Sequence, residues 1–187
     1  REAERQLSET QARLNLAADI QKRLLPKSVP ALPGVDIGVK LTPAESTSGD
    51  FYDFLSLPDG SVGIVIADVS GHGIASALLV ASASAYQRAL TKTIQDPGEI
   101  LTRLNVYIYE QTQQGRFITM LMARFVPFPM TLTYAAAGHR AFLLTGAETV
   151  DTLNSTSLVL GVLPDIIIPT SETIALRQGQ TLVFVTD

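Results

Sequence analysis

The chain has 187 residues, of which 46% are hydrophobic and 17% charged, so it can bury a sizeable core, and no apolar run approaches the roughly 20 residues that span a bilayer. Its 14 basic and 18 acidic residues give a net charge of -4, which argues against nucleic-acid binding. No run of Lys or Arg indicates direct membrane contact. The absence of cysteine excludes disulfides, zinc–thiolate sites and thiol catalysis, and fits a cytoplasmic protein.

Residues 1–25 are predicted to form a helix that ends at Pro26, because they are rich in helix-forming residues and contain no Gly or Pro. The larger apolar residues near a heptad seam are Leu7, Leu14, Ala17 and Leu24. Gln21 interrupts that seam. Two interpretations stay open: a helix lying on its own domain, or a coiled-coil signalling linker from an upstream sensor domain that pairs with its twin in a homodimer. Residues 26–187 are predicted to form one domain.

The next part of the chain is predicted to be extended. Alternation or continuous apolar character indicates strands at 35–41, 51–57 and 61–67. Pro58-Asp59-Gly60 is a strong turn signal between the last two. Residues 62–67 are nearly all apolar, which predicts a central strand that is covered on both faces.

Two helices are predicted after this hairpin. The first spans about 74–94, and its apolar spacing predicts a core-facing side made of Ile74, Ala77, Leu78, Ala81, Ala85 and Ala89. Asp96 and Pro97 form a good N-cap and first-turn pair for the second helix, which runs to about Thr112. The core-facing side of the second helix is predicted to be Ile100, Leu101, Leu104 and Ile108.

The remainder of the chain is predicted to be β-structure. The strands are expected at 117–126, 130–137, 141–144, 172–176 and 181–186, with a loop over 154–164. Helices and strands are therefore grouped and do not alternate. This order predicts an α+β sandwich with mainly antiparallel sheets and not a doubly wound parallel fold.

Three carboxylates are predicted to lie at the ends of strands. Asp50 follows Gly49, Asp68 ends the most apolar strand, and Asp187 follows the last strand. Hard divalent cations such as Mg²⁺ and Mn²⁺ bind carboxylate oxygens, and two such ions can activate a water and hold a phosphate. Spacing alone does not separate a metal site from ordinary surface turns, in which Asp is also common.

Four motifs in order carry a family resemblance. They are SGDFYDF at 48–54, ADVSGHG at 67–73, AGH at 137–139 and VTD at 185–187. Together they resemble the PPM-type metal-dependent serine/threonine phosphatases, and especially the bacterial SpoIIE/RsbU branch. The similarity runs from about residue 16 to the last residue.

The resemblance implies a fold and a metal site. The fold is an α-β-β-α sandwich of two antiparallel sheets flanked by helices, C-terminally incomplete because the family continues past Asp187 with a Gly and a further metal-binding Asp. Asp50 would bridge two ions, either Mn²⁺ or Mg²⁺. Asp68 would bind one of them together with the backbone carbonyl of Val69, and Asp187 would bind the second.

The resemblance also implies a reaction. A metal-bridging water would hydrolyse phosphoserine or phosphothreonine on a small phosphorylated regulatory protein, such as an anti-sigma-factor antagonist. Asp50 and Asp68 would be catalytic through the metals. His72 either protonates the leaving oxygen or only caps its loop. Asp53 is expected to face solvent, and His139 is expected to make a structural hydrogen bond at a strand end.

Two other functional classes remain as alternatives. A non-catalytic binding or dimerisation module on a phosphatase-like fold would explain a missing C-terminal ligand and a seam-bearing N-terminal helix. A metal-dependent phosphodiesterase or nucleotide cyclase shares paired Asp residues, but Gly71-His72-Gly73 in this order does not support it.

Overall fold

The computed structural model describes residues 1–2, 5–6, 11–12, 18–19, 21–42, 48–71, 73–112, 115–146 and 149–186. These residues form two antiparallel sheets and a layer of helices. In chain order the elements are β1 (Asp50–Ser56), β2 (Val62–Val69), α1 (Ile74–Leu90), α2 (Pro97–Gln111), β3 (Ile118–Val126), β4 (Thr131–Ala137), β5 (Ala141–Thr145), β6 (Thr149–Leu153), β7 (Ile174–Ala175) and β8 (Gln180–Phe184).

The strands divide into a five-stranded sheet in the order β1-β2-β3-β4-β7 and a three-stranded sheet in the order β6-β5-β8. Each neighbouring pair is antiparallel. β2 lies between β1 and β3, so the prediction of a central strand at 62–67 is confirmed.

Side chains on the two faces of the five-stranded sheet enter different cores, because successive residues of a strand point to opposite faces. The helix-side core lies between this sheet and the two helices, and it includes Val65, Ala67, Val80, Leu104, Met120 and Met122. The inter-sheet core lies between the two sheets, and it includes Leu121, Ala123, Phe125, Leu132, Ala136, Ala141 and Leu153. The described chain is therefore a helix–sheet–sheet stack, as an α+β sandwich requires.

The β1–β2 hairpin is fixed by its turn. The Leu57 N–H donates to the Ser61 carbonyl at 3.0 Å, and Gly60 adopts a φ of 82°, a left-handed value that favours glycine. The Asp59 carboxylate accepts from the Ser61 N–H at 3.1 Å and from the Arg124 guanidinium of β3. Although partial burial opposes the effect, these hydrogen bonds from Ser61 and Arg124 lower the pKa of Asp59 to about 2. The turn is therefore held to β3 as well as to its own strands.

The second helix agrees closely with its prediction. The Asp96 side chain caps it by accepting from the Glu99 N–H at 2.8 Å, and Pro97 occupies the first turn. The predicted apolar side chains Ile100, Leu101, Leu104 and Ile108 are all fully buried. Each contributes roughly 1.5–3 kcal/mol relative to an exposed position.

The predicted core-facing side of α1 is wrong except at Ala77, which is buried. Leu78 is 63% exposed and Ile74 is 40% exposed. Besides Ala77, the buried residues of α1 are Ser76, Leu79, Val80, Ala83, Ser84 and Gln87. In a helix composed mostly of Ala and Ser the hydrophobic periodicity is weak, and close approach of small side chains decides which side faces the sheet.

Two strand predictions also differ from the structure. Residues 36–42 form no ladder, and Val35 makes only an isolated bridge to Leu32. These residues lie largely on the surface, where Val39 is 46% exposed, so their alternation does not mark the buried face of a strand. Conversely, β6 was not predicted, because four of its five residues are exposed and show no apolar alternation.

The N-terminal segment is helical at residues 2, 5–6, 11–12, 18–19 and 21–24. Three of the predicted seam residues, Leu7, Leu14 and Ala17, lie outside the described residues, so the coiled-coil seam stays a prediction. Within the described part of the chain, no helix is long and apolar enough to cross a membrane.

The prediction that Asp53 faces solvent is wrong. It is 2% exposed on the helix side of β1, where its carboxylate accepts from Arg88 of α1 at 2.7 and 3.0 Å and from the Phe54 N–H at 2.9 Å. Burial outweighs the hydrogen bond and charge of Arg88, so the pKa of Asp53 is raised above its ordinary value. Arg88 is 45% exposed, so this ion pair joins α1 to the sheet at the edge of the helix-side core.

We predict that Arg88→Met lowers the free energy of unfolding by about 2–3 kcal/mol at pH 7, because it leaves the buried carboxylate of Asp53 unpaired. A raised carboxyl pKa gives stability that is present below the unfolded-state pKa and lost as pH rises through the folded-state pKa. Removing Arg88 raises the pKa of Asp53 further, so the variant's deficit should be smaller at pH 4 than at pH 7. Urea unfolding of the variant and the unmodified protein at pH 4 and pH 7 measures this deficit.

The matched control is Arg103→Met, which removes a surface pair with Glu99 in which both side chains are about half exposed. It should cost no more than about 0.5 kcal/mol at pH 7. Equal losses for the Arg88 and Arg103 variants at pH 7 would contradict a structural role for the Asp53–Arg88 pair.

Candidate metal centre

Asp50 and Asp68 are direct cross-strand partners at the open end of the β1–β2 hairpin. Directly opposed residues of an antiparallel pair project from the same face of the sheet. That face is the inter-sheet side, because Phe51 of β1 and Ala67 of β2 point into the helix-side core. The next strand continues the row with Thr119 opposite Asp68. The register thus brings together two of the three carboxylates that the sequence places at strand ends, while their binding of a metal stays a prediction.

The Asp50 carboxylate is held on one side only. The Ser48 hydroxyl accepts from the Asp50 N–H at 3.0 Å and donates to Asp50 Oδ2 at 3.3 Å. Asp50 Oδ1 is buried and has no hydrogen-bond partner among the described residues. A buried carboxylate oxygen without a partner is costly, so this oxygen is a candidate ligand for a cation.

Gly49 leaves open the space between the two strand ends. A Cβ atom at this position would lie 2.4 Å from the Val69 carbonyl oxygen and 2.9 Å from Asp68 Oδ1. The Val69 N–H donates to the Gly49 carbonyl at 3.1 Å. Gly49 is not in the left-handed region, so the requirement for glycine here comes from space alone. The two oxygen atoms that a side chain would block belong to two of the metal ligands expected from the sequence.

These groups fit a hard divalent cation. Two carboxylates directly opposed on neighbouring strands repel each other, and a cation between them removes that cost. The donor set of Asp50, Asp68 and the Val69 carbonyl contains only oxygen, which is the preference of Mg²⁺ and Mn²⁺.

The other two predicted site residues, Asp187 and His72, lie outside the described residues. β8 ends at Phe184, three positions before Asp187. Among the described residues, no group of three or more His, Asp or Glu side chains could hold a metal ion. The described part of the site therefore consists of one pair of carboxylates, and the third ligand stays a sequence prediction.

His139 makes the structural hydrogen bonds that were expected for it. Its side chain is 7% exposed, and it bonds to Thr119 Oγ1 at 3.0 Å and to the Val185 carbonyl at 2.9 Å. Thr119 was not identified from the sequence, because only the register of β3 reveals that it lies opposite Asp68.

Gln21 is a second residue beside the site that the sequence does not identify. It is 9% exposed, and its amide bonds to both backbone groups of Ser48: Nε2 donates to the carbonyl, and the Ser48 N–H donates to Oε1 at 3.0 Å. The available signal was a polar residue that interrupts an otherwise apolar seam. Gln21 and Ser48 together connect the end of the N-terminal helix to the turn that carries Asp50.

An open groove of about 380 Å³ lies elsewhere, beside α1 and the end of α2. It is lined by Ala75, Leu78, Leu79, Ser82, Gln111, Thr112 and Arg116. These residues lie on the helix side of the sheet, whereas Asp50 and Asp68 project from the other face. The groove is therefore not the metal centre.

The fold defines the class of this chain: it is the fold of PP2C-type, or PPM, phosphatases, which are metal-dependent in general. The SiaA-PP2C domain of Pseudomonas aeruginosa has this fold with a TM-score of 0.78, at 21% sequence identity over 96% of this chain and 71% of that chain.

Residues 58–187 match the family model described as Stage II sporulation protein E (SpoIIE), and the chain belongs to this SpoIIE/RsbU branch of the PPM phosphatases. It is 33% identical over 159 residues to phosphoserine phosphatase RsbU of Bacillus subtilis (strain 168), covering 84% of this chain and 47% of RsbU. Phosphoserine phosphatase RsbP of the same organism is 26% identical over 181 residues, or 94% of this chain and 44% of RsbP. The chain thus spans about half the length of these curated relatives.

We predict that Gly49→Ala weakens Mn²⁺ binding and lowers the free energy of unfolding by about 1–3 kcal/mol, because the added methyl group forces the ends of β1 and β2 apart. Thermal unfolding with and without Mn²⁺ measures both effects. Gly38→Ala is the control, since no atom lies within 4 Å of its Cβ position. A Gly49→Ala protein with the same Mn²⁺-induced shift in Tm as the unmodified protein would contradict the assignment of this space to the metal.

Proposed function

We propose that this chain is the catalytic domain of a metal-dependent protein serine/threonine phosphatase. Its substrate would be phosphoserine or phosphothreonine on a small phosphorylated regulatory protein of the anti-sigma-factor-antagonist type. The observation that carries the proposal is the pairing of Asp50 with Asp68 in one register position, with a buried oxygen of Asp50 that lacks a partner among the described residues. Membership of the SpoIIE family and similarity to two proteins named phosphoserine phosphatase support it.

When bound, two Mn²⁺ or Mg²⁺ ions supply an activated water and neutralise charge on the transferred phosphate. Asp50 and Asp68 would hold these ions, and the Val69 carbonyl adds a neutral oxygen ligand. Ser48 orients Asp50 through Oδ2, which leaves Oδ1 for the metal. Asp187 as a third carboxylate and His72 as an acid for the leaving oxygen stay parts of this proposal.

We predict that Asp50→Asn and Asp68→Asn each abolish Mn²⁺ binding and lower kcat/KM on an aryl phosphate or a phosphorylated partner at least about 100-fold. Mn²⁺ at 100 times its Kd should stabilise the unmodified protein by about 2.7 kcal/mol, and both variants should lose this gain. In EDTA Asp50→Asn should unfold at the same or a higher temperature than the unmodified protein, because opposed like charges cost about 0.2–1 kcal/mol.

Asp36→Asn, which changes an exposed carboxylate, is the control for the loss of one charge. Activity that survives both site substitutions would refute the metal assignment. If calorimetry of the unmodified protein detected no heat of Mn²⁺ binding, the non-catalytic binding module would be the better description.

The proposal includes regulation through the N-terminal helix by an upstream sensor in the same polypeptide. Gln21 binds both backbone groups of Ser48, and Ser48 in turn contacts the Asp50 carboxylate. Arg88 donates to the Leu24 carbonyl at 3.1 Å while it pairs with Asp53 of β1. A displacement of this helix would therefore act on the metal-binding turn through one intervening residue.

We predict that Gln21→Leu weakens Mn²⁺ affinity about tenfold, an effect typical of removing a residue that supports a metal ligand. The reason is that Ser48 loses the amide that fixes its backbone. Calorimetric titration measures the affinity. Lys22→Ala, at an exposed position of the same helical turn, should leave it unchanged. A Gln21→Leu variant with lower stability but unaltered Mn²⁺ affinity would contradict regulation by this route.

We further propose that two copies pair through the N-terminal helix and that the protein acts in the cytoplasm on its phosphoprotein partner, without binding nucleic acid or membrane. The heptad seam supports the pairing. Light scattering at high protein concentration tests it, and the detection of monomer alone would count against the dimer.

A further inference from the structure

His139 lies where the chain crosses from one sheet to the other. Residues 138–140 connect β4 of the five-stranded sheet with β5 of the three-stranded sheet. The side chain of His139 is buried, and its two ring nitrogens bond to different sheets. Nδ1 bonds to Thr119 of β3, and Nε2 bonds to the carbonyl of Val185, which directly follows β8. His139 therefore links the two sheets through its side chain, a pair of contacts called here the cross-sheet tie.

The chemistry of the two partners assigns the ring protons. A carbonyl oxygen only accepts, so Nε2 carries a hydrogen and donates to Val185. In the neutral ring, Nδ1 then accepts the hydroxyl hydrogen of Thr119. Both nitrogens are used, so the ring orientation is fixed at both ends.

Gly138 sets the backbone from which the ring reaches these partners. It has a φ of 69°, and a Cβ at this position would lie 2.3 Å from Val159 Cγ1. Its N–H donates to Ser155 Oγ at 2.6 Å and to the Ser157 carbonyl at 3.1 Å. Only glycine combines a left-handed φ with the absence of a Cβ atom. The loop over 155–159 holds this glycine in place.

The two ends of the tie lie beside the metal centre. Thr119 is the cross-strand partner of Asp68. Val185 precedes Asp187 by two residues, and the last residue of β8 is paired with Ala141 of β5, two positions after His139. The ring thus holds the segment that leads to Asp187 against β3. β3 is the strand that pairs with β2 beside Asp68.

We propose that His139 is a positioning residue for the metal centre: by joining Thr119 to the Val185 carbonyl, it holds the C-terminal segment at the edge where Asp50 and Asp68 meet. The effect of His139 on metal binding rests on the proposed function. The placement of the segment by His139 does not depend on catalysis.

The test uses His139→Ala, His139→Gln and Thr119→Val with two measurements. Hydrogen exchange of peptides that cover residues 180–187, in EDTA, reports the placement of the segment. Calorimetric titration reports Mn²⁺ affinity. His139→Ala should exchange about fivefold faster in these peptides and bind Mn²⁺ about 10- to 100-fold more weakly. His139→Gln keeps a donor near the position of Nε2 and should recover most of both properties.

Thr119→Val removes only the bond at the other end of the ring, so its effects should be smaller and should not add to those of His139→Ala. Tyr134→Phe is the matched control. It deletes a hydrogen bond of 3.1 Å from a buried side chain to the Asn154 carbonyl, within the same inter-sheet core but not at the metal centre. It should lower stability without a change in Mn²⁺ affinity.

Unchanged exchange in His139→Ala would overturn the positioning role, whatever the metal data show. Faster exchange with unchanged Mn²⁺ affinity would overturn its link to the metal centre. If His139→Ala did not fold, His139→Gln and Thr119→Val would decide the same questions. If the unmodified protein bound no Mn²⁺, the proposed function and the metal link would both fail, while hydrogen exchange would still decide whether His139 places the segment.

Discussion

The register of the β1–β2 hairpin is the constraint on which the rest of the site depends. A slip of one residue would place Asp50 opposite Ala67 or Val69 and would send one of the two carboxylates to the helix side of the sheet. The turn at 57–61 and the eight-residue ladder between β2 and β3 prevent this slip. Repulsion between the opposed carboxylates costs about 0.2–1 kcal/mol, less than the burial of one large apolar side chain gains. Apolar packing can therefore stabilise the register that places the two carboxylates opposite each other before a cation binds.

The alternation of side chains along β1 places a candidate metal ligand on one face of the sheet and a structural ion pair on the other. Asp50 and Asp53 are three positions apart, so they point to opposite faces. Asp53 enters the helix-side core and is neutralised by Arg88, whereas Asp50 enters the edge between the sheets and keeps one oxygen without a protein partner among the described residues. The same residue type thus binds a helix on one face and is available to a metal on the other.

This alternation also explains what the sequence could and could not predict. The β1–β2 hairpin, α2 and the pairing of Asp50 with Asp68 were predictable, because a strong turn signal and clear periodicity determine them locally. Asp53 was predicted to face solvent because its partner, Arg88, is 35 residues away. The buried side of α1 and the ladder of β6 depend on packing partners that their own residues do not specify. Thr119 and Gln21 lie beside the site only through tertiary contacts: no local pattern identifies Thr119, and the interrupted seam marks Gln21 as unusual without indicating its partner Ser48.

The candidate metal centre is contacted on two sides by residues from outside the hairpin. On one side Gln21 fixes Ser48 and thereby Asp50; on the other, His139 joins Thr119, opposite Asp68, to the segment that follows β8. A metal bound to Asp50 and Asp68 would stabilise both arrangements. By reciprocity, any signal that orients the N-terminal helix would change metal affinity, and metal binding would favour that orientation by the same free energy. Such couplings typically amount to about 1–3 kcal/mol, which the loss of one doubly hydrogen-bonded amide such as Gln21 can supply. Under the proposed regulation, the N-terminal helix would therefore act on the site through Gln21 and Ser48.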